Sequence, residues 1–387
     1  MKGRKILMIP GPVEFTPEVL QAMGLPTTSH LAPNFMDVFG QALERLREVF
    51  IAPSGQPFII AGSGTLAMEM AAANLVEPGD RVLVVNTGLF GDRFVAILER
   101  HGAEVTQVTA PVGDVPSLEQ VDAALQKGPF KLMTVTHVDT STGVITDIRN
   151  LAHLGRKYDT LVVVDGVCSV AGEELRQDEW GIDLTLTASQ KALGVPPGLA
   201  IVVAGPRAME VFRRRKTPVR SFYADWTNWL PIMEAYEARQ PAYFGTPPVN
   251  LIWALNVSLE QILAEGLDNR FARHRRISAA FKAGVTAIGL QLVPVSLEKA
   301  AHTLTTIYYP EGIDARLLPL ISEAGAIVAS GRHPVIKERY FRVGHMGAVT
   351  GADVLVTVGA IEWALARSGY RFDVGAGVAA AERVLAE

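Results

Sequence analysis
Apolar and polar positions along the chain follow two periods. Short and almost wholly apolar runs occupy 58–60, 82–85, 132–136, 161–164, 184–187 and 199–203. Runs of this length, rich in valine, isoleucine and leucine, predict strands covered on both faces. Helical spacing predicts helices over 35–50, 65–75, 92–100, 118–125 and 148–158. In the first of these, Phe35, Val38, Phe39, Ala42, Leu46 and Val49 make one apolar stripe. Strands alternating with helices predict an α/β fold: a mostly parallel sheet covered by helices. Ligands of such sheets bind beyond the carboxyl ends of the strands, so the residues after each strand carry the chemistry.

The flanks read differently. Pro10-Gly11-Pro12 and Pro17 keep the N-terminus extended, as an arm over the body. Past Arg220 the periodicity fades, and 221–248 is rich in proline and aromatics, Tyr223, Trp226 and Trp229 among them. It reads as a long structured connection, which either walls a small pocket or lines an interface between subunits. One or two helices follow over 249–276, with a break near Gly266. Shorter strands near 304–309, 326–328 and 340–343 and helices near 315–323 and 352–368 make a smaller α+β unit. The expected organisation is an arm over 1–20, a large domain over 21–265 and a small C-terminal domain over 266–387.

Composition narrows the function. A chain of 387 residues buries about three quarters of its unfolded surface and is long enough to split into two domains. A net charge of −4 offers no attraction to nucleic acid or an anionic membrane. One cysteine, Cys168, leaves no internal disulfide and no thiolate metal cluster, and suits a reducing compartment. Lys2, Arg4 and Lys5 precede an apolar run over 6–9 that stops at Pro10, too short for the core of a signal peptide. No run approaches the ~20 apolar residues of a membrane span, and Leu385-Ala386-Glu387 is not a peroxisomal address. The expectation is a cytoplasmic protein.

The strand ends supply four kinds of group. Gly62-Ser63-Gly64-Thr65 lies between a strand and a helix start; it is either an anion cradle of backbone N–H groups and hydroxyls or a plain N-cap turn. Phe90, between Gly88 and Gly91, either lies flat on a planar ring or packs in the core. The turn from Thr136 to Gly143, with Thr140 in it, either hydrogen-bonds a ring substituent or closes on itself as a hydroxyl turn. Asp165 ends an apolar strand, where a carboxylate is costly without a cationic partner such as a protonated pyridine nitrogen; a helix N-cap and a metal ligand are its other readings. Lys191 follows the strand over 184–187 and precedes Val195-Pro196-Pro197-Gly198. Burial there lowers its pKa, and a neutral amine attacks carbonyls; the alternative is a solvated lysine at a strand end. An anion cradle, an aromatic, a carboxylate and a lysine match the phosphate, ring, ring nitrogen and aldehyde of pyridoxal 5′-phosphate.

On these residues the chain resembles the class V aminotransferases of fold type I, and among them the alanine–glyoxylate and serine–pyruvate aminotransferases. The resemblance runs from Pro10-Gly11-Pro12 to the small domain. Its most specific pieces are Val164-Asp165, Ala188-Ser189-Gln190-Lys191-Ala192 and Phe341-Arg342-Val343-Gly344. It implies that Lys191 bonds the cofactor aldehyde and that Asp165 pairs with its ring nitrogen. By the same likeness Phe90 stacks on the ring, where some relatives have tryptophan, and Ser63, Gly64 and Thr65 form the phosphate loop. Several relatives have histidine at the position of Thr65. Thr140 falls near the cofactor's 3′-oxygen, Gln190 borders the phosphate, and Arg342 binds the substrate carboxylate. Tyr243 and Thr246 match residues that reach the neighbouring subunit's phosphate, which implies a homodimer with shared active sites.

The implied activity moves an amino group from a small amino acid, alanine or serine, to glyoxylate or pyruvate. No second arginine stands out for a side-chain carboxylate, and no metal is expected. A kynureninase-like lyase or hydrolase and a catalytically silent relative are the alternatives. A cysteine desulfurase needs a cysteine late in the chain, and Cys168 is misplaced for that.

Overall fold
The computed structural model describes residues 5–387, so Lys2 and Arg4 lie outside the described residues. Seven strands form the central sheet: β1 (Gln56–Ala61), β2 (Arg81–Asn86), β3 (Glu104–Thr109), β4 (Leu132–Thr136), β5 (Leu161–Asp165), β6 (Leu184–Ala188) and β7 (Leu199–Ala204). Their order across the sheet is β1-β7-β6-β5-β4-β2-β3. Every neighbouring pair is parallel except those of β7, which runs antiparallel to both β1 and β6. Every residue of β4, β5, β6 and β7 is buried, as their apolar sequences require. The register pairs Thr136 with Asp165 and Asp165 with Leu186, which brings the carboxyl ends of three strands level.

Several elements depart from the sequence reading: Pro17, expected to keep the arm extended, instead opens helix Pro17–Met23 behind the N-cap Thr16, and helices Pro206–Arg213 and Ala376–Ala386 were not expected. The edge strand β3 was not expected. Its residues alternate Glu-Val-Thr-Gln-Val-Thr and half face solvent, so it has none of the continuous apolar character that marks its neighbours. Within 221–248, read as a long structured connection with little periodicity, Trp226–Glu237 is a helix. Asp225 caps it by accepting from Thr227 N–H at 2.8 Å. Its buried Trp226, Trp229, Ile232, Met233 and Tyr236 lie at helical spacing, but bulky rings and the internal Pro231 obscure the pattern. None of Tyr223, Trp226 and Trp229 lines the cavity described below; Trp226 stacks on Phe58 at 4.9 Å in the core.

The apolar interior falls into two main clusters. One joins the sheet to its covering helices, with Phe39, Leu186 and Leu255 among its members. The other holds Phe281, Phe341 and Ile361. Helices Val249–Glu265 and Leu267–Ala287 meet at Gly266, whose φ of 80° breaks the rod where the sequence suggested. Around the second cluster lie a three-stranded antiparallel sheet of β8 (Leu304–Tyr308), β9 (Ala329–Ser330) and β10 (Tyr340–Gly344), and helices Gly351–Arg367 and Ala376–Ala386. The arm belongs to this side. Ile6–Leu7 pairs with Ala326–Ile327, and Met8 is buried in the second cluster. From there the chain crosses to the carboxyl ends of the large sheet.

Candidate active site
A cavity of about 280 Å³ opens at those carboxyl ends. The turn after β1 contributes Ser63, Gly64 and Thr65; the segment after β2, Phe90; and the turn after β4, Thr140. Asp165 ends β5, Gln190 and Lys191 follow β6, and Arg342 enters from β10 of the smaller sheet. Nine residues singled out from the sequence thus share one wall-to-wall space. Tyr243 and Thr246 do not line it: both are on the surface, Tyr243 with 64% exposure.

Lys191 is the centre of this space. Its side chain is 9% exposed, and burial holds the amine below the ordinary lysine value, with Cys168 working against that effect and Arg342 adding to it. The Nζ donates to the carbonyl of Pro10 in the arm. The arm passes so close that a Cβ on Gly11 would stand 2.7 Å from Lys191 Cδ, and Gly11 itself has φ 109°. The turn behind the lysine is braced on several sides. Gly194 N–H donates to Lys191 O at 2.8 Å, Ser189 Oγ to Pro196 O at 2.7 Å and Arg270 Nη2 to Ala192 O at 2.7 Å.

Asp165 lines the same cavity and lies close enough to Lys191 for their charges to interact. One carboxylate oxygen accepts from Val167 N–H at 3.0 Å. Burial pushes its pKa up to about 6; nearby Asp139 adds to this, while Arg93 and Lys191 oppose it. A buried carboxylate in this condition gains from a positively charged N–H donor.

The turn after β1 lines another part of the cavity. Ser63 begins helix Gly64–Leu75 without a side-chain cap bond, so its hydroxyl is not spent on the helix. Gln190 Oε1 is buried and has no hydrogen-bond partner. Arg93, which the sequence reading missed, donates to Thr65 Oγ1 at 2.9 Å and lies 4.9 Å from the Phe90 ring centre. Asp139 was also passed over within its polar turn. It accepts from Ser141 N–H at 2.8 Å and Phe90 N–H at 3.2 Å, tying the turn after β4 to the aromatic after β2. The signal for Arg93 was present: it lies three residues after Phe90 and so on the same helical face.

At the opposite end, Arg342 is buried. Its Nε donates to Ser330 O at 2.8 Å and its Nη1 to Thr140 O at 3.2 Å. Among the described residues no carboxylate pairs with it. A desolvated guanidinium with only carbonyl partners is a receptor for an anion. Arg332, also unexpected from the sequence, lines the same end.

A family model, "Aminotransferase class-V", matches residues 17–350 of this chain. The chain belongs to the class V aminotransferases. Alanine–glyoxylate aminotransferase 1 of Saccharomyces cerevisiae is 40% identical over 360 residues, covering 89% of this chain and 93% of that protein. L-aspartate–glyoxylate aminotransferase of Paracoccus denitrificans is 37% identical over 388 residues, covering 99% and 96%. The crystal structure of ureidoglycine–glyoxylate aminotransferase from Bacillus subtilis superposes with a TM-score of 0.93 at 30% identity, covering 100% of this chain and 99% of that one.

This aminotransferase uses pyridoxal 5′-phosphate, and its own residues fit that cofactor. A buried carboxylate with no ion-pair partner, a buried amine, an aromatic wall and a helix N-terminus beside Arg93 match the cofactor's ring nitrogen, aldehyde, ring and phosphate. A Cβ at Gly64 would come 2.9 Å from Val167 Cγ2, so glycine keeps the cradle open and the helix start close to the sheet. A larger cavity of about 890 Å³ lies elsewhere, between Gly194, Glu265 and Gly347. It contains neither the lysine nor the carboxylate and is not the reaction site.

Proposed function
We propose that this aminotransferase moves the amino group of a small amino acid, alanine or serine, to a small 2-oxo acid, glyoxylate or pyruvate. The observation that carries this reading is the buried amine of Lys191 in one cavity with Asp165 and an unpaired Arg342. Glyoxylate as acceptor is supported by the names of the relatives above.

When bound, pyridoxal 5′-phosphate supplies an aldehyde to take up the amino group and a ring to accept the electrons freed at the substrate α-carbon. Lys191 Nζ holds the cofactor and then carries the proton on and off that carbon, a role worth about 10²–10⁴-fold. Its lowered basicity keeps a fraction neutral and able to accept a proton. Asp165 keeps the ring nitrogen protonated. Phe90 fixes the ring plane, and Thr140 orients the ring's oxygen substituent. Ser63, Gly64, Thr65 and Gln190 take the phosphate, and Arg342 grips the substrate carboxylate with parallel hydrogen bonds.

Tyr243 and Thr246 reach the phosphate of a second copy, so the working unit is a homodimer with shared sites. An exposed apolar patch supports this: Phe222 lies 5.4 Å from Phe244, and Tyr243 lies 5.4 Å from His30. Light scattering on the purified protein tests it; a monomer that binds the cofactor normally refutes it. The three-part organisation at 1–20, 21–265 and 266–387 is supported by the two apolar clusters and the break at Gly266. Cytoplasmic location and a part in forming glycine from glyoxylate complete the reading. Among the described residues no helix is long and apolar enough to cross a membrane.

Lys191→Ala decides the chemistry: turnover and the visible absorbance of lysine-bound cofactor should both vanish, and a fully active variant would end the proposal. A steady-state screen of alanine, serine, aspartate and phenylalanine against glyoxylate and pyruvate settles the substrates.

A further inference from the structure
The substrate end of the cavity contains two guanidinium groups, and the reading above uses one. Arg332 follows β9 by two residues, and β9 pairs antiparallel with β10, which carries Arg342. Arg342 Nε is bonded to Ser330 O, two residues before Arg332. Both arginines line the cavity that contains Lys191. Among the described residues, no carboxylate pairs with Arg332.

The backbone that presents Arg332 is bolted down. The hydroxyl of buried Tyr340 accepts from the N–H groups of Arg332 and His333 at 2.8 and 2.9 Å. The same hydroxyl donates to Ser141 O, in the turn after β4 on the other side of the cavity. Gly331 N–H donates to Tyr340 O at 3.1 Å, and a Cβ at Gly331 would stand 2.6 Å from the Tyr340 ring. The segment is therefore held to both halves of the molecule, and its arginine stands at the mouth with its base fixed. Its charge reaches inward: after burial, it is among the influences that depress the basicity of Lys191 and Arg342.

We propose that Arg332 is a specificity-determining residue that takes the side-chain carboxylate of a short dicarboxylic amino acid, of which aspartate is the probe, while Arg342 takes the α-carboxylate. This rests on the transaminase reading and widens the donors beyond alanine and serine. Alanine offers nothing to a second guanidinium. A four-carbon diacid presents two carboxylates at opposite ends, and a guanidinium fork binds each through paired hydrogen bonds. A surface arginine that only meets solvent would not discriminate between the two donors.

The test uses the cofactor-loaded enzyme, with Arg332→Gln and Arg332→Lys beside the native chain and glyoxylate as acceptor. The readout is kcat/KM for aspartate divided by that for alanine. In Arg332→Gln this ratio should fall roughly 10- to 100-fold, the loss of one charge-assisted contact, and Arg332→Lys should restore part of it. A ratio within threefold of the native one in Arg332→Gln, or no aspartate turnover by a native enzyme that transaminates alanine, overturns the proposal. Binding of succinate and propionate, followed by cofactor fluorescence, needs no turnover. The succinate Kd should rise in Arg332→Gln by the same factor and that of propionate by less; equal changes overturn the proposal. A native enzyme that transaminates none of alanine, serine and aspartate refutes the transaminase reading separately, and the succinate titration still decides the role of Arg332.

Discussion

At the scale of single residues, environment converts ordinary groups into reactive ones. Asp165 illustrates the cost. Its folded pKa of about 6 lies above the ordinary 3.8, so between these values the folded chain holds more protons than the unfolded one. Its contribution to stability is therefore full below about pH 4 and is lost as pH rises through 6. In the cofactor-free protein at pH 7.5, Asp165→Asn should relieve this penalty and stabilise the fold by on the order of 3 kcal/mol, while transamination collapses for want of a charge opposite the ring nitrogen. Urea midpoints of the two cofactor-free proteins, set beside turnover of the loaded ones, check both halves. A destabilised Asn variant would mean that the carboxylate is satisfied by neighbours rather than kept for a ligand.

Elements decide where such residues meet. The turns after β1, β2, β4, β5 and β6 come to one edge of the sheet, because these five strands run in one direction. The arm closes that edge from a different direction. Gly11 lets it pass against Lys191 at a backbone angle that residues with a Cβ adopt at a cost of about 1–2 kcal/mol. Gly11→Ala should push the arm or the lysine stem aside and lower kcat by about tenfold or more, the order expected when a reacting group is displaced. The global urea midpoint should change much less than the rate. Parallel kcat and unfolding measurements test this; an unchanged kcat would show that the arm carries no positional role. Among the elements that escaped sequence reading, β3 faces solvent on half its residues, and Trp226–Glu237 buries rings at helical spacing around an internal proline.

For the whole molecule, three buried histidines are kept from taking up a proton by their burial. His137 is fully buried and its pKa is lowered to about 4 by burial. His274 and His345 are held well below the ordinary value of 6.5, again chiefly by burial. His274 accepts from Gly347 N–H at 3.0 Å and so requires a neutral ring. Here the unfolded chain binds more protons between about pH 4 and 6.5, so stability is full above that window and lost as pH falls through it. Asp165, Asp139 and Asp183, all raised by burial, work in the opposite sense. The histidine contribution is therefore read as a difference: between pH 7 and 5 the thermal midpoint of cofactor-free His345→Gln should fall less, or rise more, than that of the native chain. An identical pH response in the two proteins would show that this ring is solvated.

Much of the fold was legible because apolar runs and helical stripes are local signals, and the buried strands of a parallel sheet carry them strongly. Lys191, Asp165, Ser63 and Phe90 were legible for a related reason: each stands directly after such a run, and parallel topology puts strand ends together. Tertiary structure alone decided what crosses between distant segments. It placed Arg93 beside Thr65, Arg332 in one cavity with Arg342, and Pro10 against Lys191, the last pair 181 residues apart in the chain. These contacts depend on how two apolar clusters and an arm pack in three dimensions, and burial, which sets the pKa of Asp165 and the reactivity of Lys191, exists only once that packing is complete.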